Sequence, residues 1–143
     1  EYEKEGELVY KGKNVSMGYA VSREDLAKGD ENNGVLVTGD IAKRDHNGYY
    51  YIVGRKKRFI KLFGNRVNLD ETERLIKNVI SDCACSGQDD EMVIYITDKS
   101  KLKKINRYIA EKTRINHRAF IVKYIPEIPK NSSGKTIYSK LLN

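Results

Sequence analysis

The stretch "GRKKRFIKLFGNRV" (residues 54–67) decides how the rest of the chain is read. Five of the seven residues from Arg55 to Lys61 are basic, the composition of a nucleic-acid-binding arm, yet apolar residues and two glycines interrupt the charge. Lysines and arginines also guard exposed sheet edges, so a solvated edge strand is the plainer alternative. A nucleic-acid surface needs stacking aromatics among the basic groups, and only Phe59 and Phe63 are close. On one continuous strand those two share a face with Lys57 and Lys61, so charge does not separate from the apolar side.

Upstream of this stretch the chain reads as β-rich. "GELVYKG" (6–12), "GVLVTGDIAKRD" (34–45) and "GYYYIVG" (48–54) are three apolar strand patterns, and "DHNG" (45–48) is a tight turn joining the last two into a hairpin. "SREDLAKGDENNG" (22–34) is polar and turn-rich, a surface excursion with at most one helical turn. Three short strands are marginal on their own, so the chain is expected to begin inside a larger fold.

Downstream the period changes. "NLDETERLIKNVI" (68–80) places Thr72, Leu75, Ile76, Val79 and Ile80 on one helical face, with Asn68 and Glu71 spaced as a capping box. "DCACSG" and "EMVIYITD" read as strands. "SKLKKINRYIAEKT" (100–113) reads as a second helix with Ser100 as its N-cap, and "AFIVKYI" (119–125) as a strand closed by Pro126 and Pro129. The expected fold class is α+β: a small domain over 54–143 with a roughly three-stranded sheet and helices, preceded by a β-rich segment over 1–53.

Composition narrows the partners. The chain has 143 residues, 39% hydrophobic and 33% charged, which argues against wholesale disorder. Its net charge of +7 points to an anionic partner: nucleic acid, a nucleotide, phosphate esters or an acidic protein. No apolar run reaches bilayer length and the N-terminus is acidic, so the reading is a soluble cytoplasmic protein. Cys83 and Cys85, two apart, fall on one face of a strand, and neither histidine stands at ligand spacing to them. They read as buried inert thiols, with no metal site.

Two further motifs carry chemistry. In "VTGD" (37–40), Asp40 follows a glycine at a strand end, where its carboxylate can accept hydrogen bonds from vicinal hydroxyls or merely serve a turn. "KNSSGK" (130–135) is a small-residue loop delivering Lys135, either to an anion or to solvent. It is no P-loop, because Pro129 stands where the first glycine belongs.

The order of the motifs is more specific than any one of them. "GELVYKGKNVSMGY", then "VTGDIAKRDHNGYYYIVGRKKRFIKLFGNRVNLDETE", then "IPKNSSGK" resembles the C-terminal part of the adenylate-forming enzymes: acyl-CoA synthetases, adenylation domains, carrier-protein ligases and luciferases. The resemblance implies two half-reactions. A carboxylate attacks the α-phosphate of ATP, giving an acyl-adenylate and pyrophosphate, and a thiol of coenzyme A or a carrier-protein phosphopantetheine then takes the acyl group.

By the same resemblance Asp40 and Arg55 would contact the ribose, and Lys135 the carboxylate and α-phosphate oxygens. Lys57 would be the hinge, and Gly64 would lie on the strand lining the pantetheine tunnel. Residues 1–53 would end a large N-terminal domain and 54–143 form its mobile lid. The ligands of Mg²⁺ and the acyl pocket would lie outside the chain, which alone should be inactive. Tyr138 departs from the family pattern, where arginine is frequent. A basic nucleic-acid-binding module and a non-catalytic domain docking an acidic carrier are the alternatives.

Overall fold

The computed structural model describes residues 2–141. The chain divides between Lys57 and Arg58 into two compact units.

The first unit is an antiparallel sheet of β1 (Tyr2–Lys11), β2 (Val35–Asp45) and β3 (Tyr50–Arg55) in that order. The turn after β2 forms where its residues predict. Asp45 Oδ1 accepts from the amides of Asn47 and Tyr49, and Gly48 supplies a φ of +89°. The polar excursion holds one short 3₁₀ turn, Glu24–Ala27. Few side chains of this unit are buried, Ile41 and Ala42 among them, while Val9, Val37, Tyr50 and Ile52 stay exposed.

The second unit is α+β. A β-hairpin of β4 (Phe59–Leu62) and β5 (Asn65–Asn68) leads into α1 (Leu69–Lys77). A mixed sheet follows in the order β6 (Cys83–Gln88), β7 (Glu91–Ile96), β8 (Phe120–Tyr124); β6 runs antiparallel and β8 parallel to central β7. The parallel pair requires a crossover, and α2 (Leu102–Thr113) supplies it. Alternation along β7 splits the core. Met92, Ile94 and Ile96 pack with Ile76, Ile105 and Ile109 of the helices, whereas Val93 and Tyr95 pack with Ile128 and Leu141 of the C-terminal segment. Tyr95 also donates its hydroxyl to the Leu141 carbonyl. Among the described residues no helix is long and apolar enough to cross a membrane.

Two local expectations need correction. The stretch 54–67 is not one strand: it passes through a 3₁₀ turn at Lys56–Arg58, then β4, then a reversal at Phe63 and Gly64. Both reversal residues have positive φ, +49° and +82°, the requirement of a two-residue hairpin turn, so Phe63 and Phe59 do not share a strand face with Lys57. Ser100 is not a cap. Asp98 accepts from the Ser100 amide and starts a 3₁₀ turn that runs into α2, because a carboxylate two residues earlier reaches the free amides first. Asn68 does cap α1, its Oδ1 accepting from the amides of Asp70 and Glu71.

Candidate functional site

Asp40 owes its placement to a bulge. In the β1–β2 ladder Glu7 pairs with Ile41 and Val9 with Val37, so Thr38, Gly39 and Asp40 face Leu8 alone. Gly39 takes a φ of +72°, which suits glycine, and nothing lies within 4 Å of the position a Cβ would fill. The Thr38 hydroxyl donates to the Leu8 carbonyl at 2.9 Å and accepts from the Asp40 amide at 3.1 Å, fixing the bulge.

Arg55 is the ladder partner of Asp40 on β3. Its Nε lies 2.9 Å from Asp40 Oδ1, and its terminal nitrogen donates to the Thr38 carbonyl at 3.4 Å. The Arg55 side chain is 65% exposed and that of Asp40 22%, so the pair is open to a ligand rather than sealed in a core. Among the described residues Asp40 Oδ2 has no hydrogen-bond partner.

Lys135 belongs to the second unit. Its loop is organised by Asn131, whose Oδ1 accepts from the Ser133 amide, the Ser133 hydroxyl and the Lys135 amide, at 3.1, 2.8 and 2.9 Å. Gly134 donates to the Asn131 carbonyl, Lys130 and Thr136 form a bridge, and Ile137 donates to the Pro129 carbonyl at 2.8 Å. A loop of small residues is thereby made into a closed turn with Lys135 exposed at its end.

Gly64 sits in the turn between β4 and β5 rather than on a strand. Open space surrounds its Cβ direction. The turn is pinned by the neighbouring hairpin: Asp90 accepts from the Phe63 amide and Asp89 from the Lys61 amide, both at 2.8 Å. Lys57 is exposed in the 3₁₀ turn that ends the first unit.

The basic stretch is largely engaged within the fold. Arg55 pairs with Asp40, Lys56 with Glu7 at 2.6 Å, and Arg66 stacks on the Phe59 ring. Arg58 is the most buried of them, its side chain 13% exposed. It meets Asp70 at 2.7 Å, Glu73 at 2.6 Å and the Cys85 carbonyl at 2.7 Å. Burial opposes its charge, but Asp70 and Glu73 outweigh that and hold its pKa above the ordinary value.

The two cysteines are buried on the helix-facing side of β6 and free of disulfide. Burial pushes the Cys83 thiol up to about 12 and raises that of Cys85 as well, with the Glu73 charge acting in the same direction. Among the described residues no group of three or more His, Cys, Asp or Glu is arranged to hold a metal ion.

No protein-family model matches the chain. Curated relatives do. It is 30% identical over 148 residues to a probable 4-coumarate–CoA ligase 1 of Dictyostelium discoideum, covering 95% of this chain and 27% of that protein. It is 32% identical over 148 residues to the 4-coumarate–CoA ligase-like 8 of Arabidopsis thaliana, covering 96% of this chain and 26% of the relative. The solved McyG A-PCP structure, complexed with phenylalanyl-adenylate, superposes with a TM-score of 0.72 at 24% identity, covering 99% of this chain and 28% of that one. The chain matches the C-terminal part of the adenylate-forming enzymes. It spans little more than a quarter of the length of these two relatives.

Sequence reasoning named Asp40, Arg55, Lys57, Gly64 and Lys135 as candidates, and the fold brings Asp40 and Arg55 together. It missed the supporting residues. Thr38 and Asn131 carried a signal, being small polar residues at a bulge and a turn. Glu73 and Arg58 carried none, since a charged residue inside a charge run reads as solvated surface.

Proposed function

We propose that the chain is the C-terminal part of an ATP-dependent carboxylate ligase that forms an acyl-adenylate and passes the acyl group to a thiol. The observation that carries this reading is the Asp40–Arg55 pair, two residues joined across the β2–β3 ladder on a bulge that leaves Asp40 Oδ2 unclaimed among the described residues. A carboxylate held this way can accept from the vicinal hydroxyls of a ribose, and Arg55 keeps it oriented.

In the first half-reaction a substrate carboxylate oxygen bonds to the α-phosphorus of ATP while the bond to pyrophosphate breaks. The Lys135 ammonium offsets the negative charge gathering on the α-phosphate and carboxylate oxygens, and the Asn131-closed loop presents it without reorganisation. In the second, a thiol sulfur bonds to the acyl carbon, AMP leaves, and the thiol proton passes to solvent. Gly64, in an open turn with no side chain, gives a pantetheine arm close access to backbone. The division of the chain after Lys57 supports that residue as the hinge between the two geometries.

The acceptor is coenzyme A or a carrier-protein pantetheine. Mg²⁺ would accompany ATP, and on this reading its protein ligands lie in other parts of the ligase. The exposed apolar side chains of the first unit, Val9, Val37 and Ile52 among them, suit a sheet that continues into a large N-terminal domain. On this reading the 143-residue chain by itself is inactive.

The test is carboxylate-dependent exchange of labelled pyrophosphate into ATP by the intact protein, beside its Lys135→Ala variant. Strong exchange that collapses in the variant supports the reading. Equal exchange in both would refute the role of Lys135.

A further inference from the structure

Arg58, Glu73 and Tyr138 meet in a half-buried knot. The Arg58 guanidinium carbon lies over the Tyr138 ring, 3.9 Å from its centroid, while Glu73 takes Arg58 on Oε1 and the Tyr138 hydroxyl on Oε2 at 2.6 and 3.1 Å. Glu73 Oε1 also accepts from the Cys85 amide at 2.7 Å, and Arg58 donates to the Cys85 carbonyl, so β6 is gripped through both backbone groups of one residue. Tyr138 stands three residues after Lys135 and opens the last 3₁₀ turn, Tyr138–Leu141. Ile137, directly before it, closes the Lys135 loop by donating to the Pro129 carbonyl. The other leg of that loop is anchored by buried Ile128 and by Lys130, which pairs with Asp82 at 2.6 Å.

We propose that Tyr138, clamped between Arg58 and Glu73, is a positioning residue for Lys135: it ties the loop that presents the lysine to the first residue after the hinge, so loop and hinge exit move as one piece. This rests on the reading of Lys135 above. Without the clamp the loop keeps its internal bonds and the Ile128 and Lys130 anchors on its first leg, but the leg that leaves Lys135 loses its tie to Arg58 and Glu73. Misplacement of a charge-stabilising group by about 1 Å costs on the order of 100-fold in rate.

Removing Arg58 or Glu73 risks the fold, because either change strips a mostly buried charge of an ion-pair partner. Tyr138 is the safer probe. In the intact protein, Tyr138→Leu and Tyr138→Phe are compared by amide order parameters at Gly134, Lys135 and Ile137, with Ile94 on β7 as internal control, and by adenylation kinetics. Tyr138→Leu is expected to loosen the three loop amides but not Ile94, and to lower kcat roughly 10- to 100-fold with KM for ATP nearly unchanged. Tyr138→Phe keeps the stack and should restore most of both. Unchanged loop amides, loosening that extends equally to Ile94, or a rise in KM at constant kcat would overturn the proposal. Undiminished adenylation by Lys135→Ala sinks the ligase role of Lys135 instead, and the loop amides then still decide whether Tyr138 anchors the loop.

Discussion

Arg55 Nε stands 2.9 Å from Asp40 Oδ1, and the two residues are direct partners in the β2–β3 ladder. An ion pair this exposed adds at most about 1 kcal/mol to stability. As a ligand site it matters more, since hydrogen bonds to a charged group are worth about 1.5–3 kcal/mol. Asp40→Asn should therefore weaken adenine-nucleotide binding by the intact protein roughly 10- to 100-fold while its thermal midpoint hardly moves. Calorimetric titration with AMP beside a melting curve separates the two, and a variant that loses stability but not affinity contradicts the assignment.

Asn131 holds Lys135 through the lysine's own amide. Lys135→Ala should slow adenylation by about 100- to 1000-fold, the range for removing one charge-stabilising donor. Thiol transfer from preformed acyl-adenylate should suffer less. Asn131→Ala leaves the lysine but frees the loop, and is expected to slow adenylation roughly tenfold. Single-turnover measurements of each half-reaction check both, and equal slowing of the two halves by Lys135→Ala speaks against its role.

Gly64 has room for a side chain but a φ of +82°. Gly64→Leu should cost about 1 kcal/mol or somewhat more in stability from the backbone alone. Adenylation should survive this change, whereas thioester formation should fall sharply because the new side chain fills the proposed path of the pantetheine arm. Retained thioester formation at the parent rate removes Gly64 from that path.

Phe63 occupies the left-handed region at φ +49°, in the first position of a two-residue turn that favours Asn-Gly. Its ring is largely exposed, so little packing is lost on replacement. Phe63→Asn should stabilise the chain by about 0.5–1 kcal/mol, since the Asp90 bond to the residue 63 amide is unaffected. Chemical denaturation gives the sign directly, and a destabilised variant means the ring is needed.

Alkaline pH should unfold the second unit early. Burial, then the charge of Glu73, raises Cys83 from about 9 to about 12 and Tyr138 from about 10 to about 12. Raised folded-state values mean that the unfolded chain releases these protons first. Their contribution is complete below about pH 9 and is lost progressively as pH climbs to 12. Tyr138→Phe should flatten the upper part of that fall in a series of denaturation curves, and an unchanged slope excludes Tyr138 as its source.

Most of the secondary structure was legible from local pattern. The continuous apolar run of "EMVIYITD", the turn residues of "DHNG" and the Asn68 cap each act within a few residues, so short-range chemistry sufficed. The ordered motifs around Asp40, Arg55 and Lys135 likewise identified the family, because each motif is contiguous. What only the tertiary structure decided is where partners come from far along the chain. The reversal at Phe63 and Gly64 is held by Asp90, 27 residues on, and Glu73 meets Tyr138 across 65 residues. A charged residue in the sequence carries no sign of whether it will face water or a buried counter-charge. For Arg58 the packing of β4, α1, β6 and the C-terminal turn made that choice, turning one member of a basic run into the anchor of the Lys135 segment.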